Sequence, residues 1–428
     1  MIDIKLIRET PDEVKKRLNN RGSNFDSDID TIITLDTKRR AIIAVSESDK
    51  AEQNKISKQI PQIKKDGGDA SEVLETLNAL KAKVKDSEQD LRDVEGQLNE
   101  LMLGLPNMPD ADLTPGGKEN NEPLRYFGQP HTFDFDQKNH VDLCTDLGLI
   151  DYQRGVKLAG SGFWIYKGFG ARLEWALLNY FVETHLADGY EMQLVPHVLE
   201  YQCGLTAGQF PKFEDEVYKI ANPTDDRVHY LLPTAEAALV SFHRDEILAE
   251  ADLPKKYFSY TPCFRREAGT YGADERGMVR GHQFNKVEMV QYTTPEGSDA
   301  AFGELVTKAE ALVAGLGFHF RTVKLAAGDV SAAMARTYDI EIQIPSMNGY
   351  KEVSSVSNSR CYQARRGAMR YRRESTGKIE FMHTLNGSGL ATSRILPALV
   401  EQNQQKDGSV VIPEVLRKYL GGLEIITP

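Results

Sequence analysis

Between Thr261 and Met289 the chain sets out charge in a pattern that suits a polyanion and an amine. The run reads Thr261-Pro-Cys-Phe-Arg-Arg-Glu-Ala-Gly-Thr-Tyr-Gly-Ala-Asp-Glu-Arg-Gly-Met-Val-Arg-Gly-His-Gln-Phe-Asn-Lys-Val-Glu-Met289. Alternate side chains of a strand share a face, so Arg265 and Glu267 are expected to project together, as are Phe284, Lys286 and Glu288. An arginine, an aromatic plane and two carboxylates have the parts to hold a nucleotide and an ammonium group. Alternating charge on a half-exposed strand is also common, so this spacing alone is a weak signal. Two further segments carry arginine. Lys351 to Arg373 holds seven basic residues against one acid, Glu352, and Leu385-Asn-Gly-Ser-Gly-Leu-Ala-Thr-Ser-Arg394 pairs two glycines with an arginine ahead of an expected helix. Other short motifs are absent. Gly117-Lys118 and Gly377-Lys378 are followed by Glu119 and Ile379, which excludes a Walker A loop; there is no GxGxxG after a strand, no HExxH, and no ligand spacing among the nine histidines.

The elements that must position these residues fall into two parts. Leu35, Ile42, Ile56 and Ile63 keep a seven-residue register, and Leu77, Leu80, Val84, Leu91, Val94, Leu98 and Leu101 repeat it after Gly67-Gly68. Two heptad runs around a glycine turn predict an antiparallel helical hairpin over about residues 30–100, with Pro61 ending or kinking the first helix near the tip. Thr37 to Lys65 carries eight basic residues (Lys38, Arg39, Arg40, Lys50, Lys55, Lys58, Lys64, Lys65) against three acidic ones. A solvated coiled-coil exterior and an arm that tracks a phosphate backbone both fit that excess, and composition does not choose between them. Residues 104–130, with five prolines, read as a linker. Beyond them short β-like runs alternate irregularly with amphipathic helices. Strands are expected at Tyr190 to Val195, Tyr257 to Phe264, Phe284 to Tyr292, Gly317 to Leu325 and Tyr338 to Ile344, and a helix at Gly170 to Leu186. That order favours an α+β domain over 131–428 on a largely antiparallel sheet.

The chain has 428 residues, which suggests two or three domains. With 40% hydrophobic and 27% charged residues it is an ordinary globular composition, excluding a fibre or wholesale disorder. No run approaches eighteen apolar residues and the start carries no apolar leader, so neither a membrane span nor a secretory signal is expected. Cys144, Cys203, Cys263 and Cys361 are too far apart for a disulfide framework or zinc cluster and fit a reducing cytoplasm. The net charge of −11 requires any nucleic-acid site to be a local basic face.

In this order the segments resemble a bacterial-type seryl-tRNA synthetase, a class II aminoacyl-tRNA synthetase, nearly end to end. The resemblance rests on Thr234-Ala-Glu236, Phe264-Arg-Arg-Glu-Ala-Gly269, Arg280-Gly-His-Gln-Phe-Asn-Lys-Val-Glu288, Glu352-Val-Ser-Ser355 and Asn386-Gly-Ser-Gly389 with Arg394. The segment Gly189 to Pro196 looks like that class's motif 1, and the Thr261 and Asn386 segments look like motifs 2 and 3. Arg266 stands where serine is usual, Asn285 where aspartate is usual, and Ser393 replaces a glycine.

The resemblance implies a tRNA-binding N-terminal domain (1–103) with a coiled-coil arm, then a linker and a class II catalytic domain. It implies that serine and ATP give seryl-adenylate and pyrophosphate, after which serine passes to the 3′-terminal adenosine of tRNA(Ser); charging of tRNA(Sec) is left open. By the same resemblance Arg265 contacts the α-phosphate and Arg394 the γ-phosphate, and both are the expected catalytic residues. Glu267 and Phe284 hold adenine, Arg266, Gly281, Val353 and Ser354 complete the ATP site, and Glu352 with Ser355 ligates Mg²⁺. Thr234, Ala235, Glu236, Glu288 and Ser388 surround L-serine. A cytoplasmic homodimer is implied as well. An inactive RNA-binding relative would be expected to have lost the ATP contacts, and an adenylating enzyme serving a carrier protein would be expected to lack the arm. Class I synthetase signatures are absent.

Overall fold

The computed structural model describes residues 1–267, 277–347 and 349–428; the Lys64 side chain also lies outside the described part. Contacts divide the chain into two compact units, one of Ile2–Asn19 with Ser23–Pro106, the other of Asn107–Pro428 with Met1 and Asn20–Gly22.

The first unit is helical. Two short helices, α1 (Ile4–Glu9) and α2 (Pro11–Asn19), precede the long α3 (Asp26–Ser57), a short α4 (Ile60–Lys65) and the long α5 (Ser71–Gly104). Helix α3 stops short of Pro61, which sits in the first turn of α4, where its missing N–H costs nothing. Gly67, at φ 72°, turns the chain back. At 32 and 34 residues, α3 and α5 are each about 50 Å long. The second arm follows the expected seam: Leu77, Val84, Val94 and Leu98 are buried, and Leu80, Leu91 and Leu101 half-buried. The first arm does not. Its buried positions are Ile29, Ile32, Asp36 and Ser46, whereas Leu35, Ile42, Ile56 and Ile63 are half-buried. The seam is displaced because Asp36 is drawn inward by three guanidiniums, from Arg8 (3.1 Å), Arg39 (3.1 Å) and Arg40 (3.2 Å), and an apolar repeat cannot register such a partner.

The second unit is built on an eight-stranded sheet. Its strands are β1 (Glu122–Phe127), β2 (Glu191–Met192), β3 (Lys255–Phe264), β4 (Gln283–Thr293), β5 (Phe320–Lys324), β6 (Arg336–Ile344), β7 (Gly349–Asn358) and β8 (His383–Ala391). They lie in the order β1-β5-β6-β7-β8-β4-β3-β2, antiparallel except for the parallel edge pair of β2 and β3. The largely antiparallel α+β expectation therefore holds. Helices α6 (Phe169–Ala187), α7 (Ser298–Gly315) and α8 (Thr392–Gln402) pack on the sheet, burying Leu173, Leu177 and Phe181 from α6 with Leu305 from α7 and Ile395 and Leu399 from α8.

Three readings change. The stretch 104–130 contains β1, an edge strand; edge strands tolerate proline, and Pro123 at its start disguised it. The segment Tyr190 to Val195 is strand only at Glu191–Met192. Strands β7 and β8 were not expected, since both are buried for much of their length and serine-rich or glycine-rich, so they show no alternation.

Candidate active site

Register brings the chemistry together. Strand β4 pairs with β8 so that Glu288 lies directly opposite Ser388, a hundred positions later. Directly opposed residues project to the same side, which sets the carboxylate beside the hydroxyl. The pairing then breaks between Ser388 and Ala391, where Ala391 meets Lys286. On β7 a bulge at Val353 sets two residues against one on β6, since Ile340 pairs with Ser354 but Glu341 with Glu352. Glu352 and Val353 both reach the cleft as a result. Glycine is needed where β8 crosses α6: a Cβ on Gly389 would sit 2.1 Å from His185 Nε2, which donates to the Gly389 carbonyl at 2.8 Å. Burial lowers the His185 pKa, so it acts as a neutral donor.

The cleft has two lobes that share Arg265, Glu267, Arg280 and Arg394. The tight lobe, about 80 Å³, lies over Phe284, Lys286, Glu352 and Ser388. The Arg265 guanidinium lies 5.1 Å from the Phe284 ring centre, and its Nε donates to the Pro233 carbonyl. Strand β3 ends at Phe264, so Arg265 and Glu267 share the cleft through the loop beyond it and not through strand alternation. Arg280 holds Glu267 at 2.7 Å. Gly281 is packed on Trp164, where a Cβ would come within 2.2 Å of the indole. Arg394 donates to the Glu352 carbonyl at 2.7 Å and lies 3.5 Å from its carboxylate.

The wider lobe, about 470 Å³, opens between Gln209, Phe213, Thr234, Glu236 and Met334. Behind it lies a buried polar cluster. Lys286 donates to the Thr234 hydroxyl at 2.7 Å and pairs with Glu288, which also accepts from Asn386 at 3.1 Å. Gln363 donates to Glu236 at 2.9 Å while Thr384 fixes the other end of the Gln363 amide. Burial, and then the charge of Glu288, push the Glu236 carboxyl up to about 7.

Most of the expected residues converge. Arg265, Glu267, Gly281, Phe284, Glu352, Val353, Ser388, Arg394, Thr234 and Glu236 line the cleft. Glu288 and Ala235 sit just behind it, buried. Ser354 donates to the Ser388 carbonyl at 2.6 Å, and Ser355 to Asp339 at 2.7 Å. Arg266 is directed elsewhere, donating to the Asp215 carbonyl at 2.8 Å. Ala268 and Gly269 lie outside the described residues. Lys286, Asn386, Gln363 and Arg280 went unassigned in the sequence. Only Lys286 had a local signal, its place on the Phe284–Glu288 face.

In the helical unit seven of the eight basic residues have described side chains, and these differ in availability. Arg39 and Arg40 are engaged by Asp36, Lys50 pairs with Glu88 at 2.8 Å, and Lys55 lies 3.8 Å from Glu52. Lys38, Lys58 and Lys65 are exposed and make no ion pair among the described residues.

Residues 1–109 match the seryl-tRNA synthetase N-terminal domain, and residues 218–403 the class II tRNA synthetase core domain for G, H, P, S and T. The "Serine--tRNA ligase 2" of Clostridium acetobutylicum is 57% identical over 98% of this chain and 99% of its own length. The chain belongs to the seryl-tRNA synthetase family. A Nitratidesulfovibrio vulgaris serine--tRNA ligase is 44% identical over the whole of both chains. Among solved structures, seryl-tRNA synthetase from Pyrococcus horikoshii complexed with ATP superposes with a TM-score of 0.94 at 33% identity, covering all of both chains. The cytoplasmic serine-tRNA ligase of Naegleria fowleri in complex with AMP gives 0.88 at 28% identity. This synthetase is thus an aminoacyl-tRNA ligase with a class II core, and no helix among its described residues is long and apolar enough to cross a membrane.

Proposed function

We propose that the chain joins L-serine to tRNA(Ser) in two steps, and that the pairing of Glu288 with Ser388 beside the Arg265–Phe284 platform carries the specificity. In the first step a serine carboxylate oxygen bonds to the α-phosphorus of ATP, and the bond to the bridging oxygen breaks to release pyrophosphate. The carboxylate is already ionised at neutral pH, so no strong base is required. The need is for positioning and fixed positive charge as negative charge builds at phosphorus. Arg265 meets the α-phosphate and Arg394 the γ-phosphate, with adenine stacked on Phe284 and approached by Glu267. In the second step the terminal ribose hydroxyl of the tRNA takes the seryl group and AMP leaves.

Serine recognition divides between charge and hydroxyl. Glu236 and Thr234 take the ammonium, while Glu288, held by Lys286 and Asn386, accepts the serine hydroxyl with Ser388 beside it. Alanine would leave that buried carboxylate with an unmet acceptor, which is a strong basis for rejection.

The described residues hold no cluster of three or more carboxylate, imidazole or thiolate ligands, so Mg²⁺ would sit on two side-chain oxygens and take its other ligands from phosphate and water. Burial and the charge of nearby Glu352 raise the Asp339 carboxyl well above its usual range, and Ser355 donates to it. A hard cation among these oxygens relieves that repulsion. Glu352 and Ser355 would hold it, and when bound it would neutralise phosphate charge.

The helical hairpin suits the long variable arm of tRNA(Ser), with the exposed Lys38, Lys58 and Lys65 among its phosphate contacts. A cytoplasmic homodimer is part of the same reading, supported by the apolar surface beside the short edge strand β2. There Leu194 is 78% exposed, with Met192 also exposed.

Pyrophosphate exchange with each of the twenty amino acids should respond to serine alone, and charging should then succeed with tRNA(Ser); including tRNA(Sec) in that assay decides the second acceptor. Glu288→Ala should cost about 2–4 kcal/mol of transition-state binding, read as kcat/KM for serine in exchange. Wild-type-like exchange from a folded Glu288→Ala enzyme would sink the reading.

A further inference from the structure

Helix α6 carries one acid into the core behind the cleft. Glu174 is 3% exposed, and one of its oxygens, Oε1, accepts two hydrogen bonds from two different elements of the cleft. Asn285 Nδ2 on β4 donates to it at 2.7 Å, and the Thr392 hydroxyl at the start of α8 at 2.6 Å. The Asn285 amide is oriented from behind by Tyr260, whose hydroxyl donates to Asn285 Oδ1 at 3.2 Å. Asn285 lies between Phe284 and Lys286, and Thr392 lies two residues before Arg394. One buried oxygen therefore joins the strand that carries the aromatic plane to the helix that carries the distal arginine, beside a longer direct contact of the Thr392 hydroxyl with the Asn285 carbonyl at 3.2 Å. Ala391 and Ser393, on either side of Thr392, line the tight lobe of the cleft.

We propose that Glu174 is a positioning residue for the nucleotide, holding Phe284 and Arg394 at the separation that an adenine ring and a terminal phosphate require. The inference rests on the reading of the tight lobe as an ATP site. It is specific to ATP, because the serine cluster is fastened by other bonds: Lys286 to Thr234 and Glu288, Asn386 to Glu288, and Gln363 to Glu236. The titratable groups that face Glu174 are two phenols, Tyr166 on the strand Ile165–Tyr166 and Tyr260 on β3, and burial raises the pKa of both. Burial also pushes the Glu174 carboxyl up to about 7, against the opposing effect of Thr392, Asn285 and Tyr166. Both forms of the acid can accept at Oε1, so a neutral glutamine preserves the connection and alanine removes it.

The test compares Glu174→Ala, Glu174→Gln and Thr392→Val in the full chain. ATP affinity is measured by calorimetry with ATP and Mg²⁺ but no serine, alongside KM for each substrate in pyrophosphate exchange. The alanine variant should bind ATP about tenfold more weakly with KM for serine within about twofold of normal, and the glutamine variant should recover ATP binding to within about threefold. The inference is overturned if ATP and serine weaken together, if alanine leaves ATP affinity unchanged, or if glutamine is as damaging as alanine. Should Glu174→Ala lose its cooperative unfolding transition, Thr392→Val decides: selective loss of ATP affinity supports the proposal and unchanged affinity overturns it. A wild-type enzyme that binds ATP but shows no serine-dependent exchange would count against the proposed reaction, while the Glu174 comparison by calorimetry would still stand.

Discussion

Glu236 is where pH should enter serine binding. Its carboxyl is buried beside Glu288 and is raised from 4.5 to about 7. An incoming ammonium favours the ionised form, so binding below pH 7 must expel a proton from Glu236. Serine affinity should therefore rise with pH to about 7 and then level off. Calorimetry at pH 6 in buffers of different ionisation enthalpy should show release approaching one proton, and Glu236→Gln should abolish it. The same shift acts on stability with a definite sign. Between pH 4.5 and 7 the folded state binds more protons at this group than the unfolded state, so its contribution falls as pH rises through that window and is constant above it. Lys286 belongs to the same scale. A buried lysine tied to both Thr234 and Glu288 balances the acids before serine arrives, and it explains how two carboxylates can share one small pocket.

Among the elements, the helical hairpin is separable from the chemistry, because the residues proposed to contact serine and ATP all lie between Thr234 and Arg394. Joining Asp36 to Asp93 through a short glycine linker removes most of α3 and α5 but keeps the Arg8–Asp36 pair. Serine-dependent pyrophosphate exchange should stay within a few-fold of normal, whereas charging of tRNA(Ser) should fall by about a hundredfold or more, with a shallower salt slope for the remaining tRNA affinity. Within the arm, reversal of charge at Lys38 or Lys58 should weaken tRNA binding more than reversal at Lys50, whose charge is already met by Glu88. Intact charging after the deletion would mean the hairpin is only a solvated coiled coil.

For the whole molecule the prediction is a two-fold dimer. Strand β2 has only two residues and ends the sheet, yet its Met192 and the nearby Leu194 are exposed. An apolar edge of this kind invites a second copy through a self-complementary contact. Light scattering at micromolar concentration should give about twice 47.9 kDa, and Leu194→Asp should shift the population toward the monomer. A wild-type mass near 47.9 kDa would refute the dimer.

Much of this was legible from the chain alone. Heptad spacing from Leu77 to Leu101 and the turn at Gly67-Gly68 specify the hairpin, because helix periodicity is a local property. The ordered blocks from Thr234 to Arg394 specify the family and nearly all of the cleft lining, because residue type and order carry that signal without help from periodicity. Other features had to wait for the tertiary structure. Asp36 takes a seam position on account of three guanidiniums, one of them from Arg8, twenty-eight residues away, and Pro123 proves compatible with a strand only because that strand is an edge. Ser388 faces Glu288 through the β4–β8 register, and the bulge at Val353 turns Glu352 into the cleft. Arg266, adjacent to Arg265 in sequence, points to the Asp215 carbonyl instead. Glu174 resembles any surface acid on an amphipathic helix until Asn285 and Thr392 are brought against it. Each of these depends on which residues become neighbours across strands and helices, and strand register, bulges and burial leave no mark in local spacing.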